Sequence, residues 1–590
     1  MEFRDLSKYF EKMEATTKRL ELTDLLSQLF NESTPDEIDK IAYLTQGRLA
    51  PFYEPIEIGM AEKMVEQALS RAYGIERDQV GALATKLGDW GKVAAELNQK
   101  SNFKNQSFSV EEVHNKLLEI ALTTGAGSVE KKISALSDLL KLVDYLSARY
   151  LVRIPLGTMR LGIGDPTVLD ALSHAKAGDK SLRPILEEAY NKTSDLGLVS
   201  KTFWSGGVDG VKKVKVVVGK PIRPQLTERL PDPKSVVDKL GEVAVEPKYD
   251  GFRVQIHFNK HKSIGFMTSD GELKETNVKI FSRNLEDMSH MFPELAASAL
   301  SDVKAEEAIL DGEAIAYNPL SGEFLPFQET TKRRRKHNIA QSAKDLPLKA
   351  FIFDCLYYQG EDLMGKTYRE RRALVGQIVK SDTLVPADQI ITSSTKELED
   401  FLADKIQAGL EGVVVKKLDT PYQAGSRNFN WVKLKRHNAG ELNDTVDCVL
   451  LGYIFGTGKR TDFGVGALLA GVYDKEKDEF VSLCKIGTGL TDEEFREIRK
   501  RSERFARTNK PARVNSNIVP SVWLEPKIVI EVLADEITRS PVHTAGKIAD
   551  EPGYALRFPR LVNFRSDDKR PEDATTVDEI ISLYSQQYKK

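Results

Sequence analysis

The hydrophobic pattern of this 590-residue chain changes its period twice, and this change limits the folds open to it. In residues 1–212 the apolar side chains recur at helical spacing. Between 213 and 437 short alternating or continuous apolar runs predict strands between helices, and from 438 to 590 strands and turns follow closely. At about 100 to 200 residues per domain, we expect three domains at these boundaries.

Helix signals are strongest in the first region. Ser109 and Glu112 have the spacing of a capping box at the start of an amphipathic helix. Asp165 is expected to cap a second helix, with Pro166 in its first turn. The preceding segment R-I-P-L-G-T-M-R-L-G-I-G-D, residues 153–165, is rich in Gly and Arg and could bind phosphates; a plain helix connection is the alternative.

The composition excludes several classes of protein. With 41% hydrophobic and 29% charged residues the chain is globular, and no apolar run approaches the roughly 18 residues of a membrane span. The start M-E-F-R-D-L is not a secretory signal, so we expect a cytoplasmic protein without a membrane segment. The three cysteines, Cys355, Cys448 and Cys484, are too far apart for a zinc module and are expected to be small buried residues.

The net charge of −3 gives no global argument for nucleic-acid binding. Such binding would need local basic patches, and the run K-R-R-R-K at 332–336 is one candidate. A run of this kind by itself is more often a solvated surface.

The sharpest chemical feature is E-P-K-Y-D-G-F-R, residues 246–253, which presents Lys248 at a turn between two strands. A nucleophilic lysine must lose its proton, and neighbouring cations favour the neutral amine. Two further strands carry acids, in D-G-E at 311–313 and E-G-V-V-V-K at 411–416, and such carboxylates suit Mg²⁺ with phosphate. The segment 423–436 adds a dense group of Arg and Lys around one tryptophan, which fits a triphosphate or a nucleic-acid backbone.

The ordered series of motifs resembles the ATP-dependent DNA ligases of the covalent nucleotidyltransferase superfamily, of the archaeal and eukaryotic replicative type. The series is E-P-K-Y-D-G-F-R, S-R-N-L-E-D, L-D-G-E, F-I-F-D-C-L-Y-Y, E-G-V-V-V-K, W-V-K-L-K-R and R-F-P-R. The resemblance spans nearly the whole chain. It implies a multidomain fold with an all-α DNA-binding domain (1–212), an α+β nucleotidyltransferase or adenylation domain (213–437) and a β-barrel OB-fold domain (438–590).

The resemblance also implies a role for each matching residue. Lys248 would attack the α-phosphate of ATP and form lysyl-AMP. Glu246 would accept from the adenine amine, Phe353 would stack on the purine, and Arg253 and Glu313 would hold the ribose end. The other expected contacts are the magnesium ligands Glu313 and Glu411, the nucleotide or phosphate contacts Arg283, Arg427 and Lys433, the α-phosphate contacts Lys416 and Lys435, and a pyrophosphate contact from Arg557 or Arg560.

The implied reaction has three phosphoryl transfers. AMP passes from ATP to Lys248, then to the 5′-phosphate of a nick in duplex DNA, and the 3′-hydroxyl finally displaces it and joins the strands. The protein would encircle DNA through backbone contacts, with the K-R-R-R-K run as part of that surface. A monomer is expected. The segment from Gln99 to Phe108 faintly resembles a loop that binds a sliding clamp, and a solvated loop is the alternative.

Three other functions remain open at this stage. An RNA ligase or a capping guanylyltransferase shares the lysine chemistry, but the long helical region and the R-F-P-R tail resemble DNA ligases. NAD as adenylyl donor is disfavoured because neither a cysteine cluster nor an appended Rossmann glycine loop is visible. A catalytically silent nick-binding scaffold is disfavoured by the intact set Lys248, Arg253, Glu313 and Glu411.

Overall fold

The computed structural model divides the chain into two compact units, Met1–Lys435 and Arg436–Lys590. It describes residues 1–587 apart from 17, 102, 104, 231, 268–272, 319–323, 326–329, 334–338, 409, 436–444, 456–464, 488–489, 491, 550 and 566–568. Within these described residues, no helix is both long enough and apolar enough to cross a membrane.

The first region of unit 1 is helical, as its 3.6-residue periodicity predicts. Its helices pack around one apolar core. They are Phe3–Glu14, Arg19–Glu32, Ile38–Leu44, Glu62–Tyr73, Arg77–Leu87, Trp90–Gln99, Val110–Leu122, Ser128–Leu140, Tyr145–Arg153, Asp165–Ala177, Arg183–Thr193 and Leu196–Lys212.

The two predicted helix starts have different outcomes. The capping box is confirmed: the Glu112 N–H donates to the Ser109 hydroxyl, and the Ser109 N–H donates to the Glu112 carboxylate. The prediction that Asp165 is an N-cap is wrong. The helix begins at Asp165 itself, and Gly164 takes the cap position without a side-chain cap. The Asp165 carboxylate accepts from Arg223 instead, a partner that is distant in sequence.

The second region of unit 1 contains two main sheets. The strands β1–β13, in chain order, are Leu226–Arg229, Val243–Lys248, Phe252–Asn259, Ile264–Met267, Leu273–Thr276, Val278–Ser282, Glu307–Ala316, Leu348–Tyr358, Glu361–Asp362, Leu384–Pro386, Ile390–Thr392, Gly412–Lys417 and Arg427–Lys435. One sheet has the order β1-β13-β12-β2-β11. The other has the order β10-β8-β7-β3-β6, with β9 paired to β8, and β4 and β5 form a separate pair.

The short apolar runs between 213 and 437 predict strands between helices, and the structure confirms this with β2, β3, β7, β8 and β12 among others. Helices cover the sheets because one face of each sheet is apolar. The helices are Pro233–Leu240, Pro293–Ser301, Ile339–Asp345, Tyr368–Ile378 and Thr395–Gln407, with short 3₁₀ turns at Ser289–Met291 and Thr331–Arg333.

Unit 2 is rich in strands, as the pattern of its sequence predicts. The strands β14–β23 are Val446–Ile454, Ala467–Asp474, Glu479–Ile486, Ala506–Arg507, Val514–Asn515, Val522–Leu524, Val529–Leu533, Glu536–Ser540, Gly553–Arg557 and Arg560–Phe564. Eight of them share a sheet, in which β20 pairs with both β14 and β23. Helices Asp492–Ser502 and Val577–Gln587 complete this unit, with a 3₁₀ turn at Glu503–Phe505 and another at Pro571–Asp573.

Two smaller predictions can be compared with the structure. Cys355, Cys448 and Cys484 are buried free thiols, as expected. In the K-R-R-R-K run, the expectation of an exposed contact surface is wrong for Arg333, whose side chain is buried and paired with Glu294. Residues 334–336 of that run lie outside the described part of the chain.

A buried histidine joins the segment after the helical region to the second sheet. His257 on β3 is fully buried, and its Nδ1 accepts the Gly219 N–H at 3.1 Å. Burial, assisted by Lys279, lowers the pKa of His257 to about 3. The unfolded chain therefore takes up a proton below about pH 6.5, whereas the folded chain does so only near pH 3, so acid destabilises the fold.

We expect the free energy of unfolding of unit 1 to fall by about 2 kcal/mol between about pH 7.5 and about pH 5 because of His257 alone. Denaturant titrations at the two pH values measure this, with His257→Gln compared with the exposed control His261→Gln. If His257→Gln loses as much stability on acidification as the parent does, the assignment to His257 is wrong.

Candidate active site

Lys248, the predicted nucleophile, lies where two antiparallel strands meet. In β2 and β12 the register pairs Lys248 with Gly412 and Glu246 with Val414. Side chains alternate along a strand, so the buried Val243, Val245, Val413 and Val415 face the helix-covered core. Glu246, Lys248 and Lys416 therefore share the opposite face of the sheet.

Lys248 is paired with Glu411. Its ammonium donates to the Glu411 carboxylate, and the Glu411 N–H donates back to the Lys248 carbonyl at 3.2 Å. Each of the two side chains is 25% exposed, so solvent and small molecules can reach the amine. The turn after Lys248 needs glycine at 251, because a Cβ there would lie 2.2 Å from the Ala314 carbonyl oxygen. The sequence predicted that Lys248 and Glu411 belong to one active site. In the folded chain their side chains are in contact.

Glu313 lies opposite Arg253 across the β3–β7 pair. Burial raises the pKa of the Glu313 carboxyl to about 7, although Lys248 and Arg253 act to lower it. The Glu411 charge adds to the upward shift, which places both carboxylates within one electrostatic neighbourhood around Lys248. Carboxylate oxygens beside a phosphate site fit Mg²⁺, which takes one or two carboxylates together with substrate phosphates. No group of three acidic, His or Cys side chains that could hold a metal alone occurs in the described ranges.

Arg253 is held rigidly from several sides. Its Nε and Nη2 donate to the two oxygens of the fully buried Asp311, at 3.1 and 2.7 Å. Its Nη1 donates to the Gln225 carbonyl at 2.8 Å, and Nη2 also donates to the Tyr422 hydroxyl at 3.2 Å. Burial acts to lower the pKa of the guanidinium, but Asp311 and Tyr422 outweigh it and raise that pKa. Gln225 and Tyr422 were not predicted from the sequence, because neither belongs to a recognisable motif.

Two aromatic rings flank the same guanidinium. The Arg253 carbon Cζ lies 5.6 Å from the centre of the Phe353 ring and 5.7 Å from that of Trp431. The two rings meet edge to face at 5.9 Å between their centres. Phe353, the predicted purine-stacking residue, is therefore a neighbour of the predicted ribose-end residue.

The buried Glu246 carboxylate has a group of donors around it. Lys416 lies 2.6 Å away, Tyr368 donates its hydroxyl, and Gln389 donates at 3.4 Å. Arg372 Nε also lies 3.4 Å from this carboxylate. Tyr368, Arg372 and Gln389 were missed at the sequence level, since each comes from a segment without a motif.

Lys416 is enclosed by three aromatic rings. Its ammonium lies 4.2 Å from the ring centre of Phe353, 4.3 Å from that of Trp431 and 4.7 Å from that of Tyr368. Burial lowers the pKa of the ammonium, although Glu246 opposes the shift. In the register Lys416 pairs with Ala244, about 13 Å along β2 from Lys248 at 3.3 Å per residue. The structure thus brings Lys416 to the Glu246 end of the site.

The remaining predicted residues lie on other elements. Lys433 on β13 pairs with Val414 of β12, next to the central strands. Arg283 follows β6 and Arg427 begins β13, and both are exposed. The Lys435 side chain lies outside the described part. In unit 2, Arg557 pairs with Glu536 and Arg560 pairs with Asp535, at 2.8 and 2.7 Å.

Comparison with known families gives three matches along the chain. The model described as "DNA ligase N terminus" matches residues 2–173, "ATP dependent DNA ligase domain" matches 224–435, and "ATP dependent DNA ligase C terminal region" matches 461–568. The middle match contains each of the predicted residues in the two sheets.

Relatives of similar length are also found. The "Probable DNA ligase" of Dictyoglomus turgidum is 48% identical over 591 residues, which is 100% of this chain and 98% of that protein. The "DNA ligase" of Sulfolobus acidocaldarius is 39% identical over 607 residues, 100% of this chain and 99% of that protein. The solved structure of Pmar-Lig_Pre is 17% identical, with a TM-score of 0.54 over 95% of this chain and 99% of that chain, a likeness of fold.

Proposed function

Since this chain belongs to the ATP-dependent DNA ligase family, whose members join DNA strands with ATP and Mg²⁺, we propose that Lys248 is the residue that carries the adenylyl group. The observation that supports this assignment is the contact of the partly exposed Lys248 amine with Glu411, beside Glu313 and Arg253. This is the single amine of β2 on the face that these groups share.

Each step of nick sealing is a phosphoryl transfer at this amine or beside it. The Lys248 Nζ forms a bond to the α-phosphorus of ATP while the bond to pyrophosphate breaks. The 5′-phosphate of the nick then takes AMP from Lys248, and the 3′-hydroxyl displaces AMP to form the phosphodiester. The Glu411 carboxylate stabilises the ammonium form of Lys248, so attack requires that this pair open and that the amine lose a proton.

Other residues bind and orient the nucleotide. Glu246 would accept from the adenine amine, Phe353 would stack on the purine, and Arg253 and Glu313 would hold the ribose end. When bound, Mg²⁺ neutralises charge on the phosphates, and Glu313 and Glu411 would hold it. The proposed phosphate contacts are Arg283, Arg427, Lys433 and Lys435, joined by Lys416 once the nucleotide releases it from Glu246.

The experiment that tests the assignment incubates the protein with α-labelled ATP, GTP or NAD and then adds nicked DNA or nicked RNA duplexes. We expect covalent label from ATP alone and transfer of that label to nicked DNA, followed by a sealed strand. Release of AMP without sealed DNA would exclude DNA as the polynucleotide. Label from GTP together with transfer to RNA would favour the capping or RNA-ligase alternative.

Glu411→Ala is expected to slow adenylylation by about 10²-fold, because it removes both the partner of the Lys248 amine and a proposed metal ligand. Single-turnover labelling across magnesium concentrations measures the rate. Glu399→Ala, on the helix Thr395–Gln407 of the same region, is the control and should react normally. A normal rate for Glu411→Ala at every magnesium concentration would remove this residue from the site.

We also propose the three-domain division 1–212, 213–437 and 438–590, with an OB fold in the last domain. Support for the OB fold comes from the short strands of unit 2, in which β20 connects β14 to β23 within one sheet. Arg557 or Arg560, at the two ends of the turn between β22 and β23, would meet the pyrophosphate.

We propose that the protein acts as a monomer and that its partners are nicked duplex DNA and a sliding clamp. The clamp would contact residues 99–108, where Phe103 is 39% exposed and stacks on Tyr73. Titration of a labelled clamp with the protein and with Phe103→Ala tests this contact. Equal affinity of the two proteins would leave the segment as a solvated loop.

A further inference from the structure

The Asp165 carboxylate, which the sequence predicts to cap a helix, accepts hydrogen bonds from three other side chains instead. It accepts from the Tyr190 hydroxyl at 2.6 Å, from the Gln46 amide at 2.9 Å and from the Arg223 guanidinium. Asp165, Tyr190 and Gln46 are residues of the helical region, whereas Arg223 lies in the segment that leads from that region into the sheets. The pair Asp165–Arg223 therefore joins two parts of unit 1.

Arg223 is a junction of three chain segments. Its guanidinium carbon lies 4.7 Å from the centre of the Tyr190 ring and 5.1 Å from that of Phe52. Its backbone N–H donates to the Asn191 carbonyl at 2.9 Å, and its carbonyl accepts the Gly425 N–H at 3.3 Å. Arginine suits this place because a planar guanidinium can stack on rings and donate to a carboxylate at once.

The same junction includes the segment before β13. The Asn191 amide donates to the Ala424 carbonyl at 2.8 Å, and Gly425 approaches so closely that a Cβ would lie 2.7 Å from Asn191 Oδ1. Helix Arg183–Thr193, residue 223 and residues 424–425 are thus fixed together.

Two residues beyond Arg223, the fully buried Gln225 holds the nucleotide-site arginine. The Gln225 carbonyl accepts from Arg253 Nη1 at 2.8 Å, and its N–H donates to the Tyr422 hydroxyl at 2.9 Å. Only Pro224 separates the two residues. Because proline fixes its own φ and restricts the residue before it, a shift of Arg223 is passed on to Gln225.

We propose that Arg223 is a positioning residue for ATP binding: Asp165 and Tyr190 of the helical region hold it, and through Gln225 it sets the place of Arg253. The helical region thereby contributes to the affinity of the nucleotide site without touching the nucleotide. This inference rests on the proposed role of Arg253 at the ribose end.

The test measures self-adenylylation with α-labelled ATP in the absence of DNA. Arg223→Ala is expected to raise KM for ATP by about 10-fold, and Tyr190→Phe, which removes one hydroxyl, by a few-fold, with the maximal rate changed less than about twofold. Arg223→Lys should lie between Arg223→Ala and the parent, because a lysine keeps the charge and loses the planar contact. If Arg223→Ala does not fold, Arg223→Lys and Tyr190→Phe still test the proposal.

Two controls separate positioning from general loss of structure. Arg369→Ala removes an exposed arginine of the same unit, paired with Glu242 and Asp419, and should leave KM unchanged. In the background Arg253→Ala, the change Arg223→Ala should add nothing to KM, because its effect passes through Arg253.

An unchanged KM in Arg223→Lys and Tyr190→Phe would overturn the proposal. It would also be overturned if Arg223→Ala raised KM equally in the parent and in the Arg253→Ala background. A fall in the maximal rate at constant KM would overturn it as well. None of these results would affect the assignment of Lys248, which fails only if label persists in Lys248→Ala.

Discussion

Replacement of Lys248 by alanine is expected to abolish covalent labelling of the protein by α-labelled ATP, a loss of about 10⁴-fold or more. Alanine has no nucleophile, and its methyl group removes the amine that contacts the Glu411 carboxylate. Mass spectrometry of the protein after exposure to ATP and Mg²⁺ measures the adenylyl group directly.

The matched control is Lys396→Ala. Lys396 is an exposed lysine on the helix Thr395–Gln407, paired with Asp400, and it lies in the same family-matched region. We expect this variant to be labelled normally. Label that survives in Lys248→Ala, or that maps to another lysine, would contradict the assignment of the nucleophile.

Replacement of Asp311 by alanine is expected to lower the free energy of unfolding of unit 1 by about 3 to 5 kcal/mol and to weaken ATP binding. Asp311 is fully buried and binds Arg253 through two hydrogen bonds, so its loss leaves a largely buried guanidinium without the carboxylate that it binds. Calorimetry of the full chain with and without ATP measures both effects.

Asp311→Asn is the conservative comparison, because it keeps the shape and one acceptor for Arg253. It should be destabilised less than the alanine variant. The exposed control Asp400→Ala breaks the surface pair with Lys396 and should unfold at the same temperature as the parent. Equal stability of Asp311→Ala and Asp400→Ala would mean that Arg253 does not depend on its buried partner.

Motif residues were predictable because their chemistry depends on residue type at fixed positions along strands. The alternating pattern of residues 252–258 predicted β3, short apolar runs predicted β2 and β12, and the turn at residues 246–253 predicted a presented lysine. The partners Gln225, Tyr368 and Tyr422 were not predictable in this way. Each is a common residue in a segment without a motif, and each reaches the site through contacts between residues more than 20 positions apart.

The two errors in unit 1 have one physical reason. Asp165 has the residue type and position of a helix cap, and Arg333 belongs to a basic run that is typical of an exposed surface. In the folded chain Arg223 provides Asp165 with a charged partner, and Glu294 does the same for Arg333. Charge-assisted hydrogen bonds are stronger than neutral ones, so a partner supplied by the fold overrides the local preference.

By itself the sequence determined the succession of helical, mixed and strand-rich regions and the family, and it predicted which amine is reactive, because periodicity and motif spacing are properties of neighbouring residues. The tertiary structure decided which groups touch that amine, how Arg253 is held and where Lys416 points. Those contacts join residues far apart in the chain. They form because the two sheets and the helical region pack together and exclude water from the same buried charged groups.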